Sequence, residues 1–129
     1  MADKIILADT SLLIDFFRKS DKSKSQLISL IKRGYKFCIC VITEYEIYSG
    51  ATPEQLDYWQ KFLKKIDVVT LDQAAIKAAV DINKTLKIKR NQIDLADLFI
   101  AAIAVSNNLP LVTLNKKHFE RVENLQLVD

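Results

Sequence analysis

A chain of 129 residues is long enough to bury one hydrophobic core and short for two, so a single domain over residues 1–129 is expected. Its composition, 50% hydrophobic and 27% charged, excludes a disordered or low-complexity chain. The net charge of +3 is compatible with a polyanionic partner but too small to demand one.

Glycine and proline occur only twice each, which argues against the turn-dense pattern of an all-β protein. Residues 4–8, KIILA, read as a buried strand that ends abruptly on Asp9, and residues 10–17 as a short helix. SKSQLISLIKR (23–33) is amphipathic, with Leu27, Leu30 and Ile31 on one face and a stop at Gly34. KFCICV (36–41) is the second strand; its two cysteines, Cys38 and Cys40, point to the same face and suit a core. ITEYEIYSG (42–50) is a helix ending at Gly50, and TPEQLDYWQKFLKK (52–65) opens another with Pro53 in its first turn. IDVVTL (66–71) is a third strand, followed by a long helix at 72–89 and a nearly all-apolar, buried helix at 94–108. LPLVT (109–113) closes the series as a strand, with a further strand expected at 125–129.

Strands alternating with helices predict an α/β fold, a mainly parallel sheet of four or five strands covered on both faces. No linker, repeat or signal-peptide pattern is visible. The longest apolar run, 98–105, is far shorter than the roughly 20 residues of a membrane span. With no Cys or His spacing suited to zinc, and two cysteines too close along a strand to bridge, a soluble cytoplasmic protein is expected.

In open parallel sheets functional groups gather past the carboxyl ends of the strands. Asp9 follows the first strand, Glu44 and Glu46 the second, and Asn115 the strand at 109–113, while Asp94 and Asp97 head the apolar helix. Asp9 also reads as a helix N-cap, and Asp94 with Asp97 as a capping-box-like pair. Capping is kept for Asp94. Asp97 is harder to explain as structure, because a carboxylate at the head of a buried helix costs several kcal/mol unless it is paired or binds a cation. Glu44 and Glu46, two apart on a helix, face different sides, so one of them is surface. Crowded carboxylates without nearby histidine or cysteine suit Mg²⁺ or Mn²⁺. Such sites serve in-line displacement at phosphorus, which points to phosphodiester chemistry.

ADTSLLIDFF, ITEYEIYSG, DLADLFIAAIA and LVTLNKKHFERV occur in the order found in PIN-domain ribonucleases. From Ile5 to about Leu127 the chain resembles that family, specifically the VapC-like toxins of type II toxin–antitoxin pairs. The resemblance implies a three-layer α/β/α PIN-like fold with Asp9, Glu46 and Asp97 as catalytic, metal-ligating acids. Glu46 is chosen over Glu44 because the family's acid stands four residues before the glycine, here Gly50. Ser11 would support Asp9, and Asn115, which replaces a fourth acid found in many PIN domains, would assist catalysis without adding charge.

The implied activity is Mg²⁺-dependent (or Mn²⁺-dependent) endoribonuclease cleavage that leaves a 5′-phosphate and a 3′-hydroxyl. Structured RNA such as tRNA would be the substrate, and a homodimer and inhibition by a VapB-type antitoxin are further implied. Lys116 and Lys117, with Ser11, are candidates for contacting RNA, as are Lys84, Lys87, Lys89 and Arg90. His118, the only histidine, is read as structural or surface, and Phe119 as a core plug. Two rivals remain. A phosphatase of the haloacid dehalogenase type would need an acid at position 11, where Ser11 stands; a non-catalytic PIN-like module for RNA binding or protein interaction would not need the acids.

Overall fold

The structure is a computed structural model that describes residues 4–128. Its strands are β1 (Lys4–Ala8), β2 (Tyr35–Cys40), β3 (Val68–Val69) and β4 (Leu111–Val112). Its helices are α1 (Thr10–Arg18), α2 (Gln26–Lys32), α3 (Val41–Gly50), α4 (Pro53–Leu63), α5 (Gln73–Ile88), α6 (Leu95–Ser106) and α7 (Lys116–Phe119). The sheet runs β3-β2-β1-β4, and every pair of strands is parallel.

Alternation along β1 and β2 assigns the two faces. Leu7, Cys38 and Cys40 pack against Ala75 and Leu86 of α5 and Ile100, Ile103 and Ala104 of α6. Ile6, Ala8 and Ile39 pack on the opposite side against Leu12 and Leu13 of α1, Leu27 and Leu30 of α2, Ile47 of α3, and Trp59 and Leu63 of α4. Helices therefore cover both faces, as the alternating pattern predicts, and the two cysteines are free and buried. The apolar helix α6 is less enclosed than its composition suggests, since Leu95 in its first turn is 64% exposed.

Several boundaries differ from the sequence expectation for local reasons. The segment 23–33 is divided: Lys22–Lys24 forms a 3-10 turn, and the Ser25 hydroxyl then accepts the Ile28 N–H at 3.3 Å to start α2. Gly34, at φ +95°, ends that segment in the left-handed region where glycine is favoured. Strands β3 and β4 are only two residues long because each pairs with just the last residues of its neighbour, Ile39 and Cys40 for β3, Leu7 and Ala8 for β4. The expected final strand is reduced to one parallel bridge, Leu111 to Leu127. Its last residue, Asp129, lies outside the described residues, as do residues 1–3.

Among the described residues no helix is long and apolar enough to cross a membrane.

Candidate active site

Strand β1 has β2 on one side and β4 on the other, so the chain leaves β1 in one direction and returns on the opposite flank. Such a switch point opens a crevice past the carboxyl ends of the strands. Asp9 is the first residue beyond β1, and its backbone N–H donates to Val112 O at 2.9 Å, which ties it to the sheet.

Asp9 is 2% exposed, and its carboxylate does not cap α1 although Asp9 occupies the N-cap position. It accepts hydrogen bonds from the Thr113 hydroxyl at 2.7 Å and the Ser11 hydroxyl at 2.8 Å, both on Oδ2. These donors are themselves held: Thr113 Oγ1 accepts the Asn115 N–H at 2.9 Å, and Ser11 Oγ accepts the Leu114 N–H at 3.0 Å. The capping reading of Asp9 is thus replaced by a hydroxyl cradle built from β1, α1 and the segment after β4. Ser11 supports Asp9, as expected, and its hydroxyl removes the second acid that a haloacid dehalogenase mechanism requires.

Asp9, Ser11, Glu46, Asp97 and Asn115 line one open cleft of about 670 Å³. Of the two glutamates it is Glu46 that faces this cleft; Glu44 does not line it. The Thr10 hydroxyl donates to Glu46 Oε1 at 2.6 Å and lies 3.0 Å from the Thr43 hydroxyl, so α1 and α3 together aim that acid. Asp94 occupies the N-cap position of α6, but its side chain makes no capping hydrogen bond.

Asp97 lies in the first turn of α6, where the helix dipole favours an anion. Burial pushes its carboxyl above the usual range, the contact with His118 works against that, and the nearby charges of Asp9 and Asp94 add to the rise. His118 Nδ1 stands 3.1 Å from Asp97 Oδ2, so the histidine read as structural or surface is the group that positions this acid. Its ring is brought there by α7, whose Phe119 is fully buried in the core, as expected.

Sequence reasoning assigned no part to Thr10, Thr43, Thr113 or this contact of His118. The available signal was the recurrence of a threonine near each acid-bearing strand end, in ADTS, ITEYE and LVT. The basic residues also differ. The cleft is lined by Arg18 and Lys19 at the end of α1 rather than by Lys116 and Lys117, which open α7 beyond Asn115. Lys19 is paired with Asp15 at 3.6 Å, and Lys89 is paired with Glu123.

As the side chains stand, no three His, Cys, Asp or Glu groups among the described residues close into a metal cage. Glu46 is held by Thr10 and Asp97 by His118. The donors around it are nevertheless nearly all oxygens. That set fits Mg²⁺, which keeps several of its waters and commonly takes one or two carboxylates together with substrate phosphate rather than a protein cage.

The family model of the PIN domain matches residues 6–125. The chain belongs to the PIN domain family. Among curated proteins this PIN domain is 36% identical to "Ribonuclease VapC1" of Methanocaldococcus jannaschii over 95% of its own length and 84% of that protein's. It is 30% identical to the "tRNA(fMet)-specific endonuclease VapC" of Shigella flexneri, covering 95% of this chain and 96% of that one. Among solved structures it superposes on a chain of the VapBC2 complex of Rickettsia felis, bound to a DNA fragment from its promoter. There the TM-score is 0.83 at 25% identity, covering 96% of this chain and 97% of the other. The fold is that of VapC PIN domains, three layers with the parallel sheet in the middle.

Proposed function

We propose that this PIN domain is a divalent-metal-dependent endoribonuclease of the VapC type, a toxin neutralised by a VapB-type antitoxin. The observation that carries the reading is the convergence of Asp9, Glu46 and Asp97 with Asn115 on one cleft, each acid brought by a different segment. Relatives named as VapC ribonucleases cover nearly the whole chain, and its structural neighbours include VapBC complexes, which supports both the activity and the partner. The Shigella relative favours structured RNA such as tRNA as substrate.

Asp9, Glu46 and Asp97 would hold Mg²⁺, or Mn²⁺, with Asn115 as a neutral oxygen ligand. When bound, the ion supplies activation of water and stabilisation of the leaving oxygen in an in-line displacement. The protein's own part is orientation. Thr113 and Ser11 occupy Oδ2 of Asp9, which leaves Oδ1 for a cation. Thr10 steers Glu46, and His118 steers Asp97. Arg18 and Lys19 offset phosphate charge at the rim of an otherwise acidic cleft. Cleavage on this route leaves a 5′-phosphate and a 3′-hydroxyl.

A homodimer belongs to the same reading; exposed Ile76 and Val80, one turn apart on α5, supply apolar surface for it. So does action in the cytoplasm, where Cys38 and Cys40 remain reduced.

The test is cleavage of a tRNA pool by the purified chain in Mg²⁺ and in EDTA, alongside Asp9→Asn and Asp97→Asn. Cleavage in Mg²⁺ alone, reduced at least about 100-fold in either variant, is expected for groups acting in the transition state. Equal cleavage by wild type and variants, or indifference to EDTA, refutes the site. A folded protein that binds RNA without cutting it would instead establish the non-catalytic module, the reading that a neutral Asn115 in place of a fourth acid leaves open.

A further inference from the structure

Beside the acidic cleft lies a second, smaller pocket of about 250 Å³ between α1, α3 and α4. Ile14, Arg18 and Glu46 border both spaces, so anything held in one lies next to the other. At about 30 Å³ per water, the side pocket has room for roughly eight waters. That is less than the roughly 300–1,000 Å³ of sites for drug-sized ligands, and suits one heterocyclic ring system.

Its walls have the chemistry for such a ring. Half-buried Phe17 and an edge of the buried Trp59, with ring centroids 4.9 Å apart, give the pocket an apolar aromatic wall against which a flat heterocycle can pack. Gln55 forms part of the lining, and its Oε1 is taken by the Thr52 N–H at 3.1 Å in the capping box of α4. That bond fixes the amide and leaves its NH₂ group to donate, which matches a carbonyl or ring-nitrogen acceptor on a base edge. Arg18 contributes a planar cation where the two spaces meet.

Gly50 is an independent pointer. Of the two glycines, Gly34 is required by its positive φ, whereas Gly50 ends α3 without a positive φ, and a Cβ built there meets nothing within 4 Å. Neither a left-handed backbone nor close packing requires glycine at this helix end. Gly50 does line the side pocket, and its missing side chain keeps that space clear.

We propose that this pocket is a nucleobase subsite, receiving the base of a nucleotide adjacent to the scissile phosphate while Arg18 holds the connecting backbone. The assignment rests on the ribonuclease reading and adds to it a means of choosing where the strand is cut.

Trp59, the only tryptophan, is a wall of the pocket and reports on its occupancy. The probes are uridine and adenosine hexaribonucleotides and an abasic ribose-phosphate hexamer of equal charge, titrated in Ca²⁺ against the intrinsic fluorescence of the full chain. Base-bearing hexamers are expected to quench Trp59 and to bind at least about tenfold more tightly than the abasic chain, a 1.4 kcal/mol difference. Gly50→Leu, whose side chain enters the pocket, should abolish both the quenching and the preference, while Gly50→Ala keeps them. Equal quenching by the abasic chain, or an unchanged preference in Gly50→Leu, overturns the subsite. Cleavage in Mg²⁺ is read separately. Cutting without base-dependent quenching removes the subsite and leaves the nuclease; quenching without cutting removes the nuclease and leaves a base-binding pocket.

Discussion

Asp9 illustrates how little a side chain's place in a helix says about its work. It stands at an N-cap position and is a good capping residue by type, yet two hydroxyls draw its carboxylate away from the helix. Burying a carboxylate is tolerable only when such donors replace water. Thr113→Val keeps the shape and deletes one donor to a charged acceptor in a buried setting, so a loss of about 1.5–3 kcal/mol is expected. Urea denaturation measures it. RNA cleavage by the same variant should fall while Asp9 remains in place, and a variant as stable and active as wild type would show that the cradle has no role.

Helix α7 is four residues long, well below the length at which a helix holds itself together. What keeps it in place is Phe119, fully buried against the α6 side of the sheet, and the same helix delivers His118 to Asp97. Phe119→Ala should therefore cost about 3–5 kcal/mol in urea denaturation, the range for emptying a buried aromatic site. The part of that protein that stays folded should also cleave more slowly, since the partner of Asp97 loses its anchor.

Strand β2 carries a different consequence. Burial pushes the pKa of the Cys38 thiol up, with Asp67 and Cys40 adding to the rise, and burial likewise pushes up that of Cys40. In the unfolded chain both thiols ionise near pH 8.5, whereas in the folded strand they stay protonated to higher pH. This contribution to stability is intact below the unfolded value and is lost as pH rises through the folded one. Melting temperature should decline above about pH 8.5, and iodoacetamide should label both cysteines only after denaturation. Rapid labelling of the native protein at pH 8 would contradict their burial.

At the level of the molecule, the parallel sheet gathers three carboxylates at one edge while the net charge of the chain is +3. A cation bound only in the folded state stabilises it by mass action, about 2.7 kcal/mol at a concentration 100 times its Kd. Mg²⁺ should raise the melting temperature by several degrees, EDTA should reverse the gain, and Asp9→Asn should shrink it. A melting temperature indifferent to Mg²⁺ would argue against a metal in the cleft.

Much of this architecture was legible in the chain itself. Apolar runs that end abruptly, such as KIILA before Asp9, mark strands because a buried parallel strand needs apolar side chains on both faces. Acids placed just after those runs mark one edge of the sheet because parallel strands share a direction. The four strings in order implied the family, and the spacing to Gly50 separated Glu46 from Glu44. Tertiary structure decided the rest. The order β3-β2-β1-β4 depends on pairings between distant segments, and it left β3 and β4 shorter than their apolar runs. Beyond the expected support of Asp9 by Ser11 and a threonine near each acid-bearing strand end, the chain carries no signature for which threonine meets which acid, for the turn of His118 onto Asp97, or for Arg18 rather than Lys117 at the cleft. Hydrogen bonds are local in space and act over a few ångströms, so partners such as Asp9 and Thr113, 104 residues apart, meet only because β1 and β4 lie side by side.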